Sequence, residues 1–152
     1  MYDSLLLIHS LLRYALLAVM LLALLRSFTG WMGKKAYVPL DRKLSLFTVI
    51  GAHSQLVIGL IMYFMSPIVK AGMANMALAM KDPILRFYTV EHISMMLIAI
   101  VLITMGSVMA KKAKDDVAKH KKTFIFFILA LLIILASIPW PFMVANGGRG
   151  WI

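Results

Sequence analysis

Three of the four histidines in this 152-residue chain, His9, His53 and His92, fall inside apolar stretches long enough to cross a bilayer. An imidazole in hydrocarbon is costly unless it pairs, faces water or binds a metal, so an ionisable residue at that depth points to function. Neutral imidazole is also the commonest side-chain metal ligand, and six-coordinate haem iron needs two axial ligands on opposite sides of the macrocycle. Depth decides which histidines could share one iron. At about 1.5 Å of rise per helical residue, His9 lies about 6 Å and His92 about 8 Å inside the same edge of their spans, whereas His53 lies about 18 Å in, near the midplane. His9 and His92 are therefore read as the metal pair. His53 is a cofactor-binding candidate only at a second site or through helix tilt.

Other polar residues fit the same chemistry. Arg13 follows His9 by four residues and shares its helix face. Arg86 precedes His92 by six. Both arginines suit the propionates of a haem through charge-assisted hydrogen bonds. Glu91 adjoins His92 but points about 100° away on a helix, toward a neighbouring helix, a proton path or Arg13. Ser10, Ser54, Gln55, Thr89 and Ser94 are candidate partners for imidazole N–H groups. Taken singly, each histidine also has a plainer reading as polar glue between helices, and Arg13 as a side chain that snorkels to the interface. His120, in the run Lys119-His120-Lys121-Lys122, reads as part of a solvated basic loop.

The elements that must position these groups are membrane helices. The chain is 62% hydrophobic with a mean hydropathy of +0.92, against ~45–50% apolar in soluble domains. Four stretches, at about 5–25, 44–65, 87–109 and 124–139, approach or exceed the ~20 apolar residues of a spanning helix. The alternating polar pattern of a transmembrane barrel is absent. The fold class is thus an all-α membrane protein: one domain over residues 1–152, a four-helix bundle of two hairpins. Thr29-Gly30 is expected to break the first helix, Ser66-Pro67 to end the second, and Asp82-Pro83 to start the third with Asp as cap and Pro at the first helical position. Pro139-Trp140-Pro141 should stop the fourth, and residues 146–150 read as a flexible tail.

Charge sets the expected orientation. Eleven lysines and arginines lie in or beside the two loops that join spans one to two and three to four, and three (Lys70, Lys81 and Arg149) lie on the other side. By the positive-inside rule the basic loops are cytoplasmic and both termini lie outside. The net charge of +10 then reflects topology and attraction to anionic lipid headgroups, with no basis for nucleic-acid binding. Met1-Tyr2-Asp3-Ser4 lacks the positive flank of a cleavable signal, so the first span reads as a retained helix. The absence of cysteine removes disulfides, thiol redox chemistry and covalent c-type haem attachment. A pattern-level repeat relates the two hairpins: His9 and His92 each open a helix that ends in basic residues, and Lys43–Phe47 and Lys122–Phe126 open the returning helices. Met73, Met76 and Met80 are spaced to share one face of a short helix in the outer loop. As soft ligands they would suit Cu(I), a distant third reading beside core filler or a membrane-lying face.

The runs His9-Ser10-Leu11-Leu12-Arg13-Tyr14, Asp41–Phe47, Ala52-His53-Ser54-Gln55-Leu56, Thr89-Val90-Glu91-His92 and Ala118–Lys122 together resemble the small bacterial four-helix membrane proteins labelled cytochrome B, across nearly the whole chain. The histidine-bearing four-helix halves of haem A synthases are more distantly similar. The resemblance implies a non-covalent haem b and electron transfer in the bacterial plasma (inner) membrane, with the termini on the periplasmic side and a quinol or another redox protein as partner. The chain lacks the two histidine pairs along two helices that a two-haem arrangement would need. A redox subunit is expected rather than a stand-alone enzyme. The alternative is a non-enzymatic accessory or structural subunit of a larger membrane complex, which the small size and scant soluble mass also suit.

Overall fold

Apolar side chains point outward and small polar ones inward, the reverse of a soluble bundle. Leu22, Leu25, Phe47, Ile98 and Leu132 are exposed, while Ser27, Ser45, Thr48, Ser107, Thr123 and Ser137 are buried. That arrangement suits lipid, which solvates leucine but leaves a hydroxyl without a partner. The computed structural model describes residues 1–148, 150 and 151. Four of its helical segments, Tyr2–Met32, Pro39–Met65, Pro83–Lys111 and Asp116–Ser137, are long and apolar enough to cross a membrane, and the described residues contain no strand.

The helices are α1 (Tyr2–Met32), α2 (Pro39–Met65), the short α3 (Pro67–Ala74), α4 (Met76–Ala79) and α5 (Pro83–Arg86), then α6 (His92–Lys111) and α7 (Asp116–Ser137). A π-helical turn, Phe87–Glu91, joins α5 to α6. Each start has a local cause. Pro39, Pro67 and Pro83 each supply a preset φ at the head of a helix. The Asp82 carboxylate accepts the N–H groups of Ile84 and Leu85, both at 2.9 Å, and Asp115 accepts that of Ala118 at 2.8 Å. α2 ends at Met65 and Ser66 caps α3 by accepting from Val69. In the tail, Arg149 and Ile152 lie outside the described residues, and with Arg149 part of the expected flexible segment.

α1 packs along α2 and α7, and α6 along α7 and α2, so the four long helices form a ring in the order α1–α2–α6–α7. α1 and α6 face each other across one diagonal, α2 and α7 across the other. The shared core is built from Met20 and Ala23 of α1, Ala52 of α2, Ala99 and Ile103 of α6, and Phe127, Ala130 and Ile134 of α7. Small residues let the backbones approach closely: a Cβ on Gly106 of α6 would sit 2.6 Å from the Phe126 Cβ on α7.

Two sequence expectations fail at the basic end of the bundle, and for one reason. α1 runs unbroken through Thr29-Gly30 to Met32. Gly30 is a point of contact rather than a break, because the His120 ring of α7 occupies the space a Cβ there would need. His120 is accordingly 2% exposed, not part of a solvated loop. α7 begins at Asp116, so His120 already lies on the inward stripe with Thr123, Phe127, Ala130 and Ile134. Its Nε2 donates to the Ala36 carbonyl at 3.3 Å, and the Tyr37 ring meets it edge-on with centroids 4.9 Å apart. Burial pushes the Tyr37 phenol above its ordinary pKa. Nearby, Arg26 donates from Nε to the buried Asp41 at 2.5 Å, Asp41 also accepts the Val38 N–H at 2.9 Å, and Arg42 donates to the Ser107 hydroxyl at 3.0 Å. The Arg42–Ser107 and His120–Ala36 bonds tie the first hairpin to the second, while Arg26 and Asp41 join α1 to α2 within the first.

Candidate functional site

At the opposite end of the bundle the ring opens around a cavity of about 180 Å³. His9 and Arg13 of α1, Gln55 and Tyr63 of α2, and His92 of α6 line it. The two histidines thus reach one space from diagonally opposed helices. Most of the wall is apolar, with Leu16, Leu56, Met96 and Ile100 among its lining. A mostly apolar pocket with a few convergent polar groups is the usual form of a small-molecule or cofactor site.

The histidines are held differently. His92 donates Nδ1–H to the Ser137 carbonyl at 2.7 Å. A carbonyl only accepts, so this bond fixes the tautomer and leaves the Nε2 lone pair as the ring's free acceptor. That is the usual posture of a metal-binding imidazole. The π-helical turn directly before His92 belongs with this, since such turns recur at functional sites. The His9 ring lies along α2 at Gly59, where an added Cβ would come 3.4 Å from Cε1. Gln55 donates to the His9 backbone carbonyl at 2.9 Å, while the His9 Nδ1 is buried without a partner.

Three buried polar atoms without partners belong to residues of this cavity: His9 Nδ1, Arg13 Nε and Gln55 Oε1. Buried polar groups are nearly always paired in native proteins, and an exception needs an explanation such as a ligand. Arg13 is otherwise engaged: it donates from Nη2 to the Trp151 carbonyl at 2.7 Å, which also accepts the Tyr14 hydroxyl at 2.7 Å. Tyr63 donates to the Thr89 carbonyl at 2.7 Å, tying α2 to the π-helical turn.

Arg86 and His53 stand apart from the cavity. Arg86 pairs with Glu91 at 2.6 Å and donates to the Met80 carbonyl at 3.2 Å. His53 lies on the outward face of α2, exposed, with its Nδ1–H donated to the Val49 carbonyl at 2.9 Å. The methionines of the outer loop do not share one helix: Met73 lies in α3, Met76 opens α4 after Asn75, and Met80 follows its end, all three exposed. Gly59, Tyr63 and Trp151 join the site without having been singled out in the sequence. The first two had a signal, since Ala52, Gln55, Leu56, Gly59 and Tyr63 make a helical stripe.

Among the described residues no cluster of three His, Cys, Asp or Glu side chains could hold a metal. Two imidazoles alone make a poor site for a bare ion. They suffice for haem iron, to which the macrocycle contributes four ligands of its own. The donor set and the unpaired cavity atoms therefore fit a haem.

No protein-family model matches the chain, and no curated protein and no solved structure matches it either.

Proposed function

We propose that this chain is a b-type cytochrome of the membrane, in which His9 of α1 and His92 of α6 would hold the iron of one haem. The observation that carries the reading is the set of unpaired atoms on His9, Arg13 and Gln55 around a cavity that His92 enters from the opposite helix. A bound haem supplies a one-electron couple. The protein's residues do the rest. The Ser137 carbonyl holds the His92 ring by its Nδ1–H and raises the basicity of Nε2. Arg13 brings a positive charge to the cavity wall for a propionate. The apolar lining excludes water and so helps to set the potential. The chain works as a redox subunit that exchanges electrons with a quinol or another redox protein. In this reading it sits in a bacterial plasma membrane with its basic end in the cytoplasm and both termini periplasmic, as the loop charges argue.

A reduced-minus-oxidised visible spectrum of protein purified after expression with ample haem tests the proposal. A Soret band and a sharp reduced α-band of six-coordinate haem b are expected. Protein that stays colourless under those conditions overturns it. A second reading, a subunit of a larger membrane assembly, draws support from the polar residues His53 and Ser54 on the lipid-facing side of α2.

A further inference from the structure

Among the described residues, His53 and Ser54 are the polar pair on the lipid-facing surface whose hydrogen bonding is left open midway along a spanning helix. By helical rise they sit about 20 Å from either end of α2, on an exposed stripe with Phe47, Ile50, Val57 and Ile61. Elsewhere in the long helices the hydroxyls of Thr48, Ser94, Thr104, Thr123 and Ser137 each donate to the carbonyl four residues back. The Ser54 hydroxyl makes no such bond among the described residues and remains a free donor. His53 has used its N–H on the Val49 carbonyl, so its Nε2 remains a free acceptor. Lipid tails offer neither group a partner.

We infer that this face is the contact between two copies of the chain, in which Nε2 of each His53 accepts a hydrogen bond from Ser54 of the other copy. The argument for a second copy is complementarity at matched depth. A copy inserted in the same orientation presents the same donor and acceptor at the same level, offset by only about 1.5 Å along the helix. A two-fold axis along the membrane normal then makes both bonds at once, because in such an interface the contact of one residue with another is repeated in reverse. The surroundings have the right shape. Phe47, Ile50, Ser54, Val57 and Ile61 follow the alternating three-and-four spacing of a coiled-coil seam, with Ser54 at its centre. A shallow groove beside His53, lined by Val49, Val57, Ile58 and Thr104, gives the facing side chains somewhere to enter. The inference does not depend on haem.

Two differently tagged full-length copies, co-expressed and extracted in mild detergent, should co-purify. Because the chain has no cysteine, single cysteines at Ile50, Val57 and Ile61 can be crosslinked in native membranes. At least one of them should give a homodimer of twice 17.0 kDa. Leu132→Cys, exposed on the diagonally opposite helix α7, should not. Ser54→Ala removes both bonds by symmetry and should weaken self-association about tenfold, as should His53→Leu. Ser54→Thr keeps the hydroxyl and should restore it. Both changed side chains face lipid, and a monodisperse peak confirms that the variants fold. A chain that stays monomeric at all three positions, crosslinks equally at Leu132, crosslinks only to a different protein, or ignores Ser54→Ala and His53→Leu overturns the inference.

Discussion

His92 closes the end of a neighbouring helix: its Nδ1–H bonds to the carbonyl of Ser137, the last residue of α7, at 2.7 Å. Pro139 and Pro141 stop α7 there, and a terminal helical carbonyl has no partner of its own. The bond therefore satisfies the helix end and aims the imidazole in one step. His9, on the diagonally opposed helix α1, has the complementary condition, with its Nδ1 buried and unpaired.

Replacing either ring should remove the six-coordinate spectrum. His9→Gly and His92→Gly should each give high-spin or haem-free protein, and added imidazole should restore the low-spin α-band if the lost ring was a ligand. His53→Ala should leave the spectrum unchanged. Haem that survives both cavity substitutions with its spectrum intact would refute the ligand assignment.

Gly59 offers a test that leaves both ligands in place. An added methyl would come 3.4 Å from the His9 Cε1, an ordinary contact, so Gly59→Ala should bind haem nearly as the parent does. Gly59→Leu should drive the His9 ring from its seat and abolish low-spin binding. Parent-like haem content in Gly59→Leu would mean that the ring does not depend on this wall.

Arg13 should tune the site rather than form it. A positive charge at the cavity wall favours the reduced, less positive haem, so Arg13→Gln should lower the midpoint potential, on the order of 50 mV. Redox titration measures this. An unchanged potential with full haem retention would take Arg13 out of the site's electrostatics.

The spans, the cap at Asp82, the end of α2 at Ser66-Pro67 and the pairing of His9 with His92 at one level were legible because hydropathy, capping and helical rise are local properties. What escaped depends on which helices become neighbours. His120 hides among lysines, and only the early start of α7 reveals that it shares the inward stripe with Thr123 and Phe127. Arg86 and Glu91, five residues apart, would not face each other on an ordinary helix. The intervening π-helical turn, with its longer hydrogen-bond step, brings them together. Arg86 is thereby committed to Glu91. The outward direction of His53 was set by packing that the histidine spacing does not encode, since α2 turns Ala52 and Gln55 toward the cavity instead.

Orientation has its own test. The lysine-rich loops should face the cytoplasm, so cysteines placed at Lys35 and Lys114 should be shielded from a membrane-impermeant thiol reagent in intact cells. A cysteine at Asn75, between α3 and α4 at the other end, should react. Labelling at Lys114 in sealed cells would reverse the topology.

Gly30 and His120 should be energetically coupled. A Cβ at Gly30 would collide with the His120 ring, which is buried and held by the Ala36 carbonyl. Overpacking of this kind costs about 1–3 kcal/mol, so Gly30→Ala should lower the thermal unfolding midpoint in detergent by several degrees. With His120→Ala the ring that blocks the added methyl is gone. The cost of Gly30→Ala should then nearly vanish, and the double-mutant cycle should show a coupling about as large as the single-mutant cost. Expression and haem content should follow the same order, because this contact holds α1 against α7 at the basic end while the cavity lies at the other. An additive double mutant would show that the ring does not rest on Gly30, and that α1 passes α7 at a greater distance than this packing requires.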